Sequence, residues 1–183
     1  PPEPKVAPVS FKTADTDLEK WITAAEEFAR THLNVEVRLR ELFVIPEELP
    51  WSSAILAFDP GGLTNSMALQ KAIRNSGLVP WEEVPVDNYS GSEVGALPTL
   101  RLIENSIRPN LDTMKKSPDQ LVAMQKNWLD LRGYALAFAL HHTVTKEYLD
   151  PETFTWFPGN RLSHGGVADG PWRPGGLRVR FGW

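Results

Sequence analysis

The amino-acid sequence predicts a mainly α-helical fold, a helical bundle around one long C-terminal helix at about residues 118–149. The first observation is a helical segment that begins at Ser117-Pro118-Asp119 and ends before Asp150-Pro151, because serine caps helices and proline stops them. The second is an amphipathic pattern that begins at Thr16. The third is a change of composition after Pro151, where glycine and proline exclude a regular helix.

Composition divides the chain of 183 residues into three parts. Residues 1–15 are rich in proline with few apolar anchors, and they predict an extended N-terminal arm. Residues 16–150 predict the helical core domain. Residues 151–183 are rich in Gly, Pro, Trp and Arg, and they predict an irregular, extended C-terminal arm.

The first predicted helix begins at Thr16 and ends near Asn34. Thr16 and Glu19 have the spacing of a capping box, and apolar residues recur every three or four positions after them. The following residues alternate between apolar and charged, which is typical of a strand. We therefore expect a minor β element near residues 35–45.

A short apolar run at residues 54–58 ends in the turn sequence Asp59-Pro60-Gly61-Gly62. Thr64 is placed to cap a helix that extends through Asn75, and Gly77 is placed to stop it.

Residues 78–97 predict a loop, because prolines and a glycine interrupt them. Residues 99–116 predict one helix or two, since Pro109 removes a hydrogen-bond donor in the middle.

The long helix has an apolar stripe at heptad spacing, and residues 134–140 are apolar or aromatic on all sides. A helix of this kind must be covered from every direction. Two interpretations remain open: a central core helix of a monomer, or a helix partly covered by a partner subunit. In the second case, the expected interface residues are Trp128, Leu131, Phe138, Trp172, Phe181 and Trp183.

The positive charge of the C-terminal arm comes from arginine alone, whereas the whole chain has a net charge of −4. Residues 177–181 alternate apolar and basic, which suits a strand added to an exposed sheet edge. Arginine beside aromatic residues is also typical of surfaces that bind single-stranded nucleic acid. We expect the arginines either to pack the arm or to contact nucleic acid or an acidic partner; they are Arg161, Arg173, Arg178 and Arg180.

No catalytic or metal-binding motif emerges from the sequence. The absence of cysteine excludes disulfides and thiolate chemistry. Adjacent residues on a helix point about 100° apart, so His141-His142 cannot converge on one metal ion. Gly61-Gly62-Leu63-Thr64 lacks the Lys-Ser/Thr ending of a P-loop and predicts a turn. We expect neither a metal nor a cofactor.

These features predict a non-enzymatic, self-assembling structural protein, such as a viral coat or nucleocapsid subunit whose arms contact neighbouring subunits and nucleic acid. We expect a homo-oligomer in a virion or the cytoplasm. No stretch of 18 apolar residues and no signal peptide is visible, so no membrane partner is expected. Two alternatives stay open: an enzyme with dispersed site residues, and a monomeric adaptor that binds a protein partner through its long helix.

Overall fold

The chain is mixed α/β, and its described residues form five short α-helices and six strands, which are arranged in a two-stranded and a four-stranded sheet. The predicted helical bundle is therefore wrong. The computed structural model describes residues 18–46, 54–94, 97–104, 111–149, 154–173 and 176–182. The predicted arm at residues 1–15 lies outside this part.

The first helix, α1 (Leu18–Phe28), buries its apolar stripe in the core. It continues as a π-helical turn, Ala29–Leu33, and ends where Asn34 adopts a φ of 60°. Asparagine enters this left-handed conformation more readily than most residues, so it is a common helix stop. The predicted end of the helix near Asn34 is confirmed.

The predicted β element near residues 35–45 is wrong. Residues 35–38 form neither a helix nor a strand, and a one-turn helix, α2 (Leu39–Leu42), follows them. The backbone N–H of Leu39 donates to Oε1 of Glu26 at 2.8 Å. A side chain of α1 therefore holds the start of α2, a contact that alternation in the sequence does not reveal.

The apolar run in the middle of the chain forms a strand, β1 (Ala54–Asp59), that is buried along its whole length. After a turn, the Thr64 hydroxyl accepts a backbone N–H and caps α3 (Asn65–Ala68). The helix continues through π and 3-10 turns and stops at Gly77, whose φ is 78°. The predicted cap and the predicted stop are both confirmed.

Two strands arise where a loop and a helix are predicted: β2 (Trp81–Glu82) and β3 (Thr99–Glu104). β3 pairs antiparallel with β1, from Ala54 opposite Glu104 to Asp59 opposite Thr99. The predicted helix at residues 99–116 is thus wrong at its start. Leucine, arginine and glutamate favour a helix in isolation, but pairing with β1 outweighs that local preference.

The helix start predicted at Ser117 is confirmed at α4 (Pro118–Ala123). Ser117 and Gln120 form a reciprocal capping box, with the Ser117 N–H donating to Oε1 of Gln120 at 2.8 Å. Such caps depend on residues three apart in the chain, so they can be predicted locally.

The predicted single helix at about residues 118–149 is wrong, because helix α4 ends at Ala123 and a second helix, α5 (Leu131–Thr145), follows. Gln125 has a φ of 52°, which no α-helix can continue. Asp130 then caps α5, and its Oδ1 accepts the Gly133 N–H at 2.6 Å. Asp130 lies inside the predicted continuous helix, whereas in the structure it starts a second helix.

Residues 151–183 contain an antiparallel sheet instead of an extended arm: β4 (Phe154–Arg161), β5 (Val167–Arg173) and β6 (Gly176–Gly182). β2 pairs parallel with β6, which gives the order β2-β6-β5-β4. The viral coat interpretation rested on a helical core between two extended arms. It loses its basis because the core is mixed α/β and the described part of residues 151–183 forms paired strands. Glycine and proline content did not reveal the strands, because strand pairing depends on distant segments.

Helix α5 packs against β1, and it also contacts β4 of the four-stranded sheet through ring packing and a hydrogen bond. The ring of Tyr134 packs 5.0 Å from that of Phe157 in β4. Residues 134–140 are all buried within this chain, so α5 is the central core helix of the fold. Among the residues described, no helix is both long and apolar enough to cross a membrane.

Candidate functional site

Strand β6 places its side chains alternately on two faces of the four-stranded sheet. Leu177 and Val179 are buried in the core. Arg178 and Arg180 are half-buried on the opposite face, which we call the outer face. Because β6 lies between β2 and β5, both arginines stand in the middle of the sheet instead of at its edge.

On the outer face, Arg178 stacks on Trp81. The register of β2 and β6 places the two residues side by side, and the guanidinium carbon lies 4.0 Å from the centre of the indole. Trp81 remains 46% exposed, and Nε of Arg178 has no hydrogen-bond partner in the described part of the chain. The pair makes a cation–π contact, which is energetically favourable in itself, and we call the two side chains the platform.

Beside this platform, Arg180 pairs with Asp169 of β5. The two residues are opposite each other in the sheet, and Nε of Arg180 donates to Oδ1 of Asp169 at 2.8 Å. Asp169 is only 2% exposed. Burial raises the pKa of Asp169 above its ordinary value, and the hydrogen bond from Arg180 opposes that rise. Trp156 of β4, half-buried, stands opposite Asp169 in the next strand.

A second carboxylate completes the outer face. The backbone N–H of Glu83 donates to the carbonyl of Val179 at 2.9 Å, which extends the pairing of β2 with β6 and brings Glu83 beside Arg180. The charge of Glu83 also contributes to the raised pKa of Asp169. The outer face therefore carries two arginines, Arg178 and Arg180, and two acids, Asp169 and Glu83. Their described charges sum to zero.

The structure brings together two of the four predicted arginines. Arg161 lies elsewhere, beyond an irregularity in β4, where its Nη2 donates to Oδ1 of Asp119 at 2.6 Å. Arg173 lies in β5, and its side chain is outside the described part of the structure. Trp81 and Asp169 were missed, because their place beside the arginines depends on the pairing of separate strands.

The predicted interface residues divide into three groups. Leu131 and Phe138 are 0% exposed and are covered by this chain's own core. Trp128 is half-buried, and its Nε1 donates to the carbonyl of Leu121 at 3.0 Å. The side chains of Trp172 and Phe181, and all of Trp183, lie outside the described residues.

The adjacent histidines of α5 point to different neighbours. His141 stacks on Trp21 at 6.0 Å between ring centres, whereas His142 packs 5.2 Å from Tyr148. Burial lowers the pKa of His142, and the charge of Lys146 lowers it further. No group of three metal-ligating side chains occurs among the residues that the structure describes.

The start of α3, directly after the glycine turn, is occupied by a carboxylate of the same chain. Gly61 and Gly62 have φ values of 77° and 69°, as the predicted turn requires. Asp87 accepts the Ser66 N–H at 2.9 Å and the Ser92 hydroxyl at 2.6 Å. The negative charge of Asp87 at the start of α3 would repel an external anion. The turn therefore has a structural role.

Comparisons with known proteins leave the function open. No model of a protein family matches the chain. Neither the curated proteins nor the solved structures gave a significant match. The functional argument therefore depends on the geometry of the outer face and of the surfaces around it.

Proposed function

We propose that this protein is a non-enzymatic binding protein that holds single-stranded nucleic acid on the outer face of its four-stranded sheet. The observation that carries the proposal is the platform formed by Trp81 and Arg178, with the guanidinium 4.0 Å from the ring centre and the indole 46% exposed. Aromatic and arginine planes stack on any base, so they hold single strands without reading the sequence.

The charge balance of the outer face favours stacking over phosphate binding. Asp169 neutralises Arg180 in a 2.8 Å contact. Arg178 is half-buried, so it remains as the arginine that can contact a phosphate, through its guanidinium nitrogens other than the enclosed Nε. The affinity should then depend weakly on salt, because a contact to about one phosphate releases few counterions.

Two buried acids and one exposed acid already have structural partners, which supports a binding role over a catalytic one. Arg132 holds Asp59, Arg180 holds Asp169, and the start of α3 holds Asp87. A general acid or base must be able to reach a substrate proton. These three carboxylates already have partners within the protein.

The test is a fluorescence anisotropy titration with labelled decathymidine and decauridine over a range of salt concentrations. Trp81→Ala should weaken binding roughly 5- to 150-fold, the effect of removing 1–3 kcal/mol of stacking per base. Arg178→Ala should weaken binding and reduce the salt slope by about one. Thermal unfolding of both variants checks that the sheet remains folded.

Arg74→Ala is the matched control, because Arg74 is exposed at the end of the third helix, away from the sheet. Its affinity should equal that of the unmodified protein. The proposal fails if neither oligonucleotide binds, or if Trp81→Ala and Arg74→Ala bind equally well.

Self-association is a second candidate property, and large exposed apolar side chains favour it. Leu111 is 85% exposed and Val44 is fully exposed. Exposed apolar surface of this kind often marks contacts between proteins when it forms a patch. Light scattering over a wide concentration range measures the assembly state directly, and a monomer mass throughout would contradict this candidate.

A further inference from the structure

The two-stranded sheet ends in an open edge. β3 pairs with β1 along one side, and no strand among the described residues pairs with its other side. An open edge presents backbone N–H and C=O groups in a row, so it accepts another extended chain. A segment that binds at this edge must therefore adopt the conformation of a strand.

A groove of about 960 Å³ runs beside this edge. β3 forms one wall, and residues 126–130, Val122 of α4 and Gly159 of β4 form the remainder. Val122 is 48% exposed. The apolar side chains that line the groove are Leu100, Leu102, Ile103, Val122, Trp128 and Leu129. An extended segment can thus bury apolar side chains there while it pairs with β3.

The charges around the groove favour a basic occupant. Arg101 pairs with Asp130 at 3.3 Å, and Lys126 pairs with Asp112. Glu104 is exposed and has no ion pair among the described residues. It projects from the same face of β3 as Leu100 and Leu102, because side chains two apart share a face.

A second copy of this chain, paired through its own β3 about a two-fold axis, would not neutralise Glu104. Such an axis keeps every side chain on its own face of the extended sheet. Arg101 and Glu104 are three residues apart, so they lie on opposite faces and cannot meet across the axis. Centring the pair on Arg101 would place two guanidinium groups opposite each other, which is unfavourable.

We propose that the groove binds an extended segment of another protein, which adds a strand to β3 and carries the pattern basic-x-apolar-x-apolar. In the commoner antiparallel orientation, the basic residue stands opposite Glu104 and the apolar residues opposite Leu102 and Leu100. This proposal is independent of the nucleic-acid face, because it uses the other sheet.

The probe is an acetylated and amidated peptide, Lys-Thr-Val-Thr-Val-Thr, titrated into the full chain. Amide hydrogen exchange of β3 should slow as the peptide saturates the groove, because its outward N–H groups become paired. Glu104→Gln should weaken binding about two- to five-fold, as expected for an exposed ion pair. Glu41→Gln is the control, since Glu41 is exposed on α2 away from the groove, and it should bind normally.

Val122→Asp tests the apolar wall. An acid there would face the valines of the peptide, so binding should weaken at least about tenfold. Circular dichroism confirms the fold of the variant, which tolerates a polar residue because Val122 is half-exposed. Peptides N-methylated on the side that faces β3 should not bind, since they lack the donors for strand pairing.

Three results would overturn the proposal. The first is unchanged exchange of β3 at saturating peptide concentration. The second is equal binding of the N-methylated peptide or of a version with glutamate in place of lysine. The third is protection of the β3 amides from exchange that rises with protein concentration in the absence of peptide. This result would show that a second copy of the chain occupies the groove.

Discussion

Arg132 of α5 and Asp59 at the end of β1 form an ion pair of 2.7 Å in which each side chain is only 12% exposed. Nη1 of Arg132 also donates to the carbonyls of Leu63 at 2.8 Å and Glu93 at 3.0 Å. One side chain of the central helix thus holds a strand end, the glycine turn and the loop before β3.

Asp59→Ala should lower the free energy of unfolding by about 3–5 kcal/mol, because it leaves the enclosed guanidinium of Arg132 without its counter-charge. The double variant Asp59→Leu/Arg132→Met should lose less than the two single changes together, since it removes both charges. Urea unfolding measures each value. Glu27→Ala, which breaks an exposed pair with Arg30, is the control and should leave the midpoint unchanged.

Asn160 of β4 is 1% exposed and links the strand to the start of α5 and to the loop at Ser90. Its Oδ1 accepts the Leu131 N–H at 2.8 Å, and its Nδ2 donates to the Ser90 carbonyl at 2.6 Å. Asn160→Ala should destabilise the protein by about 1–3 kcal/mol, because buried polar groups lose their partners. Amide exchange at Leu131 should accelerate. An Asn160→Ala variant as stable as the exposed-site control Asn127→Ala would contradict this role.

Stability should fall as the pH falls below about 7. Burial lowers the pKa of His142 and of His32 from 6.5, so the unfolded chain binds more protons in the window below 6.5. Protonation therefore favours unfolding, and the stabilisation is complete only above 6.5. Denaturant unfolding at several pH values measures the slope. His142→Gln should flatten it, and an unchanged slope would rule out a contribution from His142.

Tyr89 is 2% exposed, and its hydroxyl has no hydrogen-bond partner in the described part of the chain. Burial, followed by the charges of Glu83 and Asp169, raises the pKa of Tyr89 to about 12. The neutral phenol contributes stability that is complete below 10 and is lost as the pH rises towards 12. Ultraviolet titration should show a tyrosine that ionises well above pH 10, and Tyr89→Phe should remove this step.

Tyr89→Phe should also leave the free energy of unfolding at pH 7 unchanged or raise it. Removing an unsatisfied buried hydroxyl removes a desolvation cost, and phenylalanine keeps the shape of the ring. Thermal unfolding gives the comparison with the unmodified protein. A loss above about 1 kcal/mol would show that the hydroxyl has a partner in solution.

Local sequence signals predicted four helix ends correctly, whereas the end predicted before Pro151 is wrong, because α5 already ends at Thr145. The caps at Ser117 and Thr64 and the stops at Asn34 and Gly77 are all confirmed. Each depends on backbone groups within one helical turn, so neighbouring residues suffice to specify it. The break before α5 could have been found in the same way, because Asp130 is a favourable N-cap residue.

The strands and the candidate sites could not be found from local signals. β3 has a helix-favouring sequence, yet it pairs with β1 across more than thirty intervening residues. Trp81 meets Arg178 only because β2 and β6 are neighbours in the sheet. Alternation placed Arg178 and Arg180 on one face, but the acids that balance their charge come from other strands.

The sequence by itself determined four helix ends, at Asn34, Thr64, Gly77 and Ser117, and that the segment around Arg178 alternates between two faces. Only the tertiary structure decided that α5 is covered by its own chain, that β6 lies inside a sheet, and that β3 keeps an open edge. The physical reason is the range of the interactions. Helix caps satisfy backbone groups a few residues away, whereas strands and binding surfaces need hydrogen bonds and burial supplied by distant segments.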